Sequence, residues 1–403
     1  MKKVLLFISQ IIPLMVFTQW IDITPDLNED LIFSDIHILN EDVIFFFGVS
    51  ENIVNHYRYG LVLKTTDGGQ SWEHIKVYHP NKDRGPFIRG GFALNDSTFA
   101  ISCSDGEIKV FMGDSVNQSS ICAFCDYDDI FFLKDSTIVV GPNYRTSYDL
   151  GLSWESIFQL NIDNREAFYR NEDTVVFSKT EKYDFTAKTY QKIQLSKNKG
   201  MSFKTLNVLS NNNEIKAITF KDSIVYAVGE QGFFGLTNDN FSAFEQIITT
   251  TNQELICIDI KSNKDWFLGG GFNIYEHDVK SGIILGTKDG GNLWYSSSFP
   301  DQIRKLKMYD SNIGYAITYN NIYKTTNGGI INVLEDDNIQ TQLPYPNPTT
   351  DFLNTHSETQ KGIYSIHGQL LWQGTESRID VSSWSKGIYL LKTEGEIHKW
   401  IKH

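Results

Sequence analysis

Acidic side chains recur through this sequence in one setting. Asp67, Asp149 and Asp289 each stand two residues after a Ser or Thr and two residues before a Gly. Asn198 and Asn327 take the same place, and Asp239 stands in a weaker copy with Phe241 where Gly belongs. Two carboxylates facing each other across a cleft could hydrolyse a glycosidic bond. Three arginines beside a Tyr/Glu pair could bind and attack an anionic sugar. The arginines ahead of residue 335 are Arg58, Arg84, Arg89, Arg145, Arg165, Arg170 and Arg304, and no order among them marks a triad. Asp126, Tyr127, Asp128 and Asp129 could touch a cation, but read more simply as a solvated loop. Cys122 and Cys125 have half the spacing of a zinc site, and no second pair or His cluster completes it. The sequence holds no P-loop, GxSxG, HExxH or EF-hand loop, so neither metal nor cofactor is expected.

The setting of these acids is itself a structural device. It reads Ser/Thr-x-Asp/Asn-x-Gly-x-x-aromatic, as in Thr65-Asp67-Gly69-Trp72, Ser147-Asp149-Gly151-Trp154, Ser196-Asn198-Gly200-Phe203 and Thr287-Asp289-Gly291-Trp294. Thr325-Asn327-Gly329 ends on Asn332 instead of an aromatic, and Thr237-Asp239-Phe244 has lost its Gly. The Asp or Asn holds backbone N–H groups of a turn, the Gly takes a positive φ, and the aromatic opens the next strand. Recurrence in unit after unit is what a fold needs and a single active site does not, so these acids are expected to be structural.

A second element interleaves with the first: apolar strand, polar turn, apolar strand. Its turn acids are Asp42, Asp96, Asp135, Asp173, Asp222, Asp265 and Asp310, recurring about every 45 residues, the size of a four-stranded propeller blade. Helical periodicity is absent. The chain is therefore expected to be all-β, a seven-bladed β-propeller over residues 20–334.

Composition sets the compartment. The 403 residues are 41% hydrophobic and 13% aromatic, enough for a packed core. The net charge of −13 repels phosphate backbones and excludes nucleic acid as a natural partner. Lys2 and Lys3 precede an apolar run over residues 4–17, the pattern of an export leader over residues 1–19. No transmembrane span is expected. Cys103, Cys122, Cys125 and Cys257 leave three full disulfide pairings open, and read equally as buried small hydrophobes.

After residue 334 the character changes. A polar linker over 335–344 leads to Tyr345-Pro346-Asn347-Pro348, whose prolines force an extended passage. A strand-turn ending at Gly368 and a strand from Gly387 through Tyr389 follow, in a unit covering residues 345–403.

These motifs carry two resemblances. The repeated turn resembles the Asp-box, or BNR, repeat of sialidases, sortilin-type receptors, xyloglucan-cleaving enzymes and photosystem II assembly-factor-like propellers, the last most of all. The C-terminal segment closely resembles the type A C-terminal sorting domain of the type IX (Por) secretion system. The second resemblance implies a small β-sandwich recognised by the outer-membrane translocon, with the cargo released or attached to the cell surface. The expected function is a secreted or cell-surface, non-catalytic propeller that binds a protein or glycan. The alternative is a secreted glycoside hydrolase, sialidase-like or xyloglucanase-like.

Two placements follow from spacing. The second-to-third strand loops are longest in blades one, four and six, and lie opposite the Asp-box turns. They carry His56, Tyr57, Arg58 and Tyr59, then Tyr183 and Tyr190, then Tyr275 and His277, the candidate ligand-binding residues. At the other place, Asn332 leaves the last blade without its outer aromatic, whereas Trp20 and Ile23 have the outer-strand pattern with no turn before them. Residues 20–23 are therefore expected to pair beside residues 322–325 and close the ring.

Overall fold

The structure, a computed structural model, describes residues 20–27, 29–51, 58–78, 85–104, 106–121, 130–133, 136–141, 145–156, 168–171, 173–182, 189–198, 201–208, 214–238, 240–272, 280–329, 349–355, 360–365, 369–392 and 397–402. The chain divides into two compact units, Met1–Ile331 and Asn332–His403. No α-helix occurs among the described residues, and none is long and apolar enough to cross a membrane.

Among the described residues the first unit holds seven four-stranded antiparallel sheets. Sheet one is Asp30–Ile38, Ile44–Glu51, Arg58–Thr65 and Glu73–Val77; sheet two is Ile88–Ala93, Thr98–Cys103, Glu107–Met112 and Ser115–Ser120. Sheet three is Ile130–Phe132, Ile138–Val140, Arg145–Ser147 and Glu155–Ser156; sheet four is Phe168–Arg170, Val175–Lys182, Thr189–Ser196 and Lys204–Val208. Sheet five is Ile215–Lys221, Ile224–Gly229, Phe234–Thr237 and Phe244–Gln246; sheet six is Glu254–Ile260, Trp266–Phe272, Ser281–Thr287 and Tyr295–Phe299. Each of these six is a meander in chain order. Sheet seven is Lys305–Met308, Gly314–Ile317 and Ile322–Thr325, with Ile21–Asp22 as its fourth strand.

Alternation explains the packing. In the second strand of sheet one, Ile44 and Phe46 pack towards sheet seven while Phe45 and Phe47 pack towards sheet two. Both faces are buried, so the strand reads as an unbroken apolar run. Every consecutive pair of sheets shares a core of this kind, and so do the seventh and the first. The seventh-to-first joint also carries hydrogen bonds: Phe33 N–H donates to Tyr319 O at 3.0 Å, and Lys324 Nζ to Gly68 O at 2.7 Å.

The fourth strand of sheet seven comes from the far end of the sequence, as the spacing anticipated. Ile21 pairs with Lys324 and Asp22 with Tyr323, and Ile23 N–H donates to Ile322 O at 2.9 Å. Trp20 is 7% exposed, in a core with Phe267, Phe299 and Leu306. Its placement repeats the other sheets. A Cβ added at Gly69, Gly151 or Gly291 would lie 3.7, 3.8 or 3.5 Å from the indole of Trp72, Trp154 or Trp294. At Gly329 the neighbour is Trp20, at 2.5 Å. The aliphatic residue repeats as well: Ile247 of sheet five meets Gly291 of sheet six, and Ile23 meets Gly69 of sheet one. Residues 332–334 lie outside the described residues.

The second unit holds a four-stranded sheet, in the order Leu370–Gly374, Lys361–Ser365, Gly387–Lys392, Ile397–Lys402, and a two-stranded sheet, Phe352–Asn354 with Arg378–Asp380. Leu353 and Ile379 of the small sheet share a core with Ile363, Leu391 and Trp400 of the large one. Tyr389 stacks on Trp400 at 4.9 Å and donates from its hydroxyl to Ser385 O at 2.7 Å. Gly387 opens that strand, whereas Tyr345, Pro346, Asn347, Pro348 and Gly368 lie outside the described residues.

Candidate functional site

Antiparallel order gives each sheet two ends. One holds the first-to-second and third-to-fourth strand turns; the other holds the second-to-third loops and the connections between sheets.

At the first end the repeated acids serve their own turns. In sheet one, Thr65 Oγ1 donates to Asp67 Oδ1 at 2.8 Å and accepts from Gly69 N–H at 2.8 Å. Asp67 also accepts from the N–H groups of Gln70 and Ser71 at 2.9 and 2.8 Å. Sheet three repeats this with Ser147, Asp149, Gly151 and Ser153, and sheet six with Thr287, Asp289, Gly291 and Leu293. Hydrogen bonds lower all three carboxyls: from the Ser71 hydroxyl first for Asp67, from the Ser153 hydroxyl first for Asp149, down to about 2, and from Leu293 N–H first for Asp289. Asn198 does the same work as a neutral amide, accepting from Ser202 N–H at 3.0 Å, and Asn327 accepts from Thr325 Oγ1 at 3.0 Å.

Sheets two and five depart from the pattern. In sheet two a tight turn at Gly113 pairs Met112 with Ser115 directly. In sheet five the accepting side chain is Asn238, bonded to Ser242 N–H at 2.8 Å; Asp239 lies outside the described residues, as does Gly200. Phe241 takes the positive φ, +52°, that glycine supplies elsewhere.

The first-to-second strand turns shift the reading of the sequence by a residue or two. Asn40, not Asp42, accepts from Asp42 and Val43 N–H at 3.0 and 2.9 Å. Asn95 accepts from Ser97 and Thr98 N–H beside Asp96, and Asn171 from Thr174 N–H beside Asp173, while Asp310 itself accepts from Asn312 and Ile313 N–H. An Asn or Asp side chain bonds backbone two and three residues on, so the anchor precedes the most conspicuous acid. Asp265 bridges sheets, accepting from Ser262 and Ser311 hydroxyls at 3.0 Å each. Asp222 turns with φ of +48°, and Asp135 lies outside the described residues.

At the opposite end the chemistry is irregular and charged. Arg58 opens the third strand of sheet one, its guanidinium 5.9 Å from the Phe87 ring centre; that of Arg89 lies 5.0 Å from the same ring. Tyr59 is 4% exposed, so its ring offers no surface to a ligand. Its hydroxyl donates to Glu29, which also accepts from Ser50 Oγ at 2.6 Å and lies 3.8 Å from Lys76 Nζ. Burial pushes the Glu29 carboxyl up, but the Ser50 and Tyr59 hydrogen bonds and the Lys76 charge outweigh it and leave the group below its usual range. Farther round, Lys216 holds Glu214, Glu230 and Glu254 at 2.8, 3.3 and 3.5 Å.

His56, Tyr57, Tyr183, Tyr275 and His277 lie outside the described residues, in connections between second and third strands of sheets one, four and six. Tyr190 is in the third strand of sheet four, paired with Glu181. Cys122, Cys125 and residues 126–129 also lie outside. Cys103 and Cys257 are buried, and burial pushes the Cys257 thiol up to about 12. Among the described residues no group of three or more His, Cys, Asp and Glu could hold a metal ion.

Comparison with known proteins places both units. Residues 344–403 match the secretion system C-terminal sorting domain, which assigns the chain to export through the type IX system, to the cell surface or beyond. No curated protein matches the sequence. The chain is similar in structure to YCF48 bound to D1 peptide, with TM-score 0.57 and 13% identity over 77% of this chain and 97% of that one. It is similar to the GH74 xyloglucanase from Xanthomonas campestris, TM-score 0.53 and 10% identity over 77% and 54%. It is also similar to the extracellular domain of the one-component system BT4673 from B. thetaiotaomicron, TM-score 0.51 and 12% identity over 95% and 52%. At such identities the likeness defines a β-propeller fold and no activity.

Proposed function

We propose that this chain is a type IX secretion cargo whose propeller is a non-catalytic binding module for a protein or glycan. In this reading residues 1–19 are the export leader, 20–334 a seven-bladed Asp-box propeller closed by its N-terminal strand, 335–344 a linker and 345–403 a β-sandwich sorting domain. The ligand meets the end opposite the Asp-box turns.

One observation carries the reading: the two ends are built differently. Asp67, Asp149 and Asp289 spend their oxygens on backbone and hydroxyl groups of their own turns. The other end gathers Arg58, Phe87 and Arg89, and arginines against an aromatic are the chemistry of binding hot spots. YCF48, whose structure carries a bound peptide, supports a binding role for such a fold. The Tyr59–Glu29 pair is the feature closest to hydrolase chemistry, and the burial of Tyr59 argues for a structural part.

The test is a glycan array and a peptide array on the purified mature chain, repeated with Arg58→Ala and Phe87→Ala. Loss of about tenfold or more in affinity, with an unchanged melting temperature, supports the reading. Release of reducing sugar from xyloglucan, or of sialic acid, by the wild-type chain replaces it with the hydrolase alternative.

A further inference from the structure

A pocket of about 410 Å³ opens at the turn end, between the repeated turns of sheets four and five. Its lining includes Leu195, Phe203 and Phe241 as apolar surface, with Lys197, Lys204 and Asn240 among the polar groups. That volume falls within the range of small-ligand sites, roughly 300–1,000 Å³, and accepts one or two sugar rings. We propose that this pocket binds an acidic saccharide, a sugar bearing a carboxylate or sulfate. The site lies at the opposite end from the ligand face proposed above and does not depend on it.

Three features of the sequence make this joint unlike the others. The first is charge. Sheets one, three and six hold their turns with ionised carboxylates, Asp67, Asp149 and Asp289. Sheets four and five are neighbours, and both use an amide instead, Asn198 and Asn238. The turn therefore forms without a negative charge at its anchor. Lys197 and Lys204 bring two basic side chains to this lining, in a chain of net charge −13. Lys197 is held in place, its Nζ 3.4 Å from Ser223 Oγ and 5.7 Å from the Phe220 ring centre.

The second feature is ring size. Phe203 stands where Trp72, Trp154 and Trp294 stand in the other turns. It packs edge-on against Phe177, 5.3 Å away, and remains only half-buried. A phenyl ring in place of an indole leaves room and still presents a flat apolar surface to the C–H face of a sugar. The third feature is Phe241. A bulky residue at positive φ is strained, and here it replaces the glycine of the repeat. Its ring is 6% exposed, packs into the core that sheets four and five share, and backs the pocket where glycine would leave it open. Aromatic surface, amides and two ammonium groups together match a saccharide with an anionic substituent.

The experiment is calorimetric titration of the full mature chain with trigalacturonate, a sulfated disaccharide and neutral galactotriose. It is repeated on Lys197→Ala/Lys204→Ala, on Phe203→Trp, and on Lys264→Ala/Lys288→Ala, which removes equal charge at the turn end of sheet six. The expected result is binding of at least one acidic probe and not the neutral one, weaker in higher salt. Affinity should fall about tenfold or more in the first double variant and in Phe203→Trp, and stay unchanged in the second double variant. Preference for the carboxylate or the sulfate probe identifies the natural substituent. Absence of binding to both acidic probes, equal binding of galactotriose, or affinity unmoved by Lys197→Ala/Lys204→Ala would overturn the proposal. If Phe203→Trp does not fold, the lysine variants alone decide.

Discussion

The two ends of the seven sheets obey different rules. At the turn end, one local device recurs: a hydroxyl, an Asp or Asn, a positive φ and an aromatic, all within eight residues. Each copy satisfies its own backbone, so each is legible in isolation. At the opposite end the described residues show no such shared device. Sheet one has Arg58, Glu29, Tyr59 and Lys76, and sheets five and six share the Lys216 network. Repetition marks what the fold requires of every sheet. Departure from it marks where a sheet has been released to do something else.

The strongest test of that contrast lies in sheet seven, the one sheet that borrows a strand. Trp20→Ala removes a buried indole and should cost about 3–5 kcal/mol, read as a lowered denaturant midpoint. Trp20→Phe should cost clearly less, because a phenylalanine stands at this place in sheets four and five: Phe203 just before the outer strand Lys204–Val208, and Phe244 at the start of Phe244–Gln246. Removing residues 20–24 should destabilise most, since it also leaves the edge Ile322–Thr325 unpaired. Equal stability of Trp20→Ala and wild type would mean that the N-terminal strand is dispensable to the joint.

How far the sequence reached follows from the same contrast. Trp20 was legible because the gap at Asn332 and the surplus at Trp20 and Ile23 are the same pattern in two pieces. The turn residues were legible because their partners are three or four residues away. The anchors Asn40, Asn95 and Asn171 were missed for the acids beside them. In one sequence, charge is easier to see than the geometry of a side chain that reaches two and three residues on. A comparison of the turns by distance to the next strand, instead of by residue type, would have found them. The Glu29 contacts with Ser50 and Tyr59 span 21 and 30 residues, and no local pattern announces them. Tyr59 looked like a loop aromatic for that reason, whereas its hydroxyl is tied to Glu29 inside the sheet.

Glu29 offers the second test. Glu29→Ala leaves the Tyr59 and Ser50 hydroxyls without their acceptor and should cost about 1–3 kcal/mol. Glu29→Gln, which keeps an acceptor, should cost less. The carboxyl is held below its usual value, so its contribution is complete above the ordinary glutamate pKa of about 4.3 and fades as pH falls through the lower folded value. The Glu29→Gln chain should therefore lose less stability on acidification than wild type. An identical acid response in the two chains would show that the ionised carboxylate does nothing special there.

The smallest effect should come from exchanging one turn for another. Asp149→Asn turns the sheet-three device into the form that sheet four already uses with Asn198. The amide oxygen can still accept from Ser153 N–H, so the melting temperature at neutral pH should move by no more than a degree or so. The difference should emerge in acid. Asp149 has its folded pKa lowered to about 2, first by the Ser153 hydroxyl, against an ordinary value of about 3.9. A depressed carboxyl contributes stability above the unfolded value and loses it as pH falls towards the folded one, here between about pH 4 and pH 2. The variant cannot titrate there, so its stability relative to wild type should rise across that window. Because the group is fully exposed, salt should shrink the gap. Thermal melts at several pH values in low and high salt read both effects. A large loss at neutral pH would mean that the charge itself holds the turn, and that Asn198 succeeds only through neighbours that sheet three lacks.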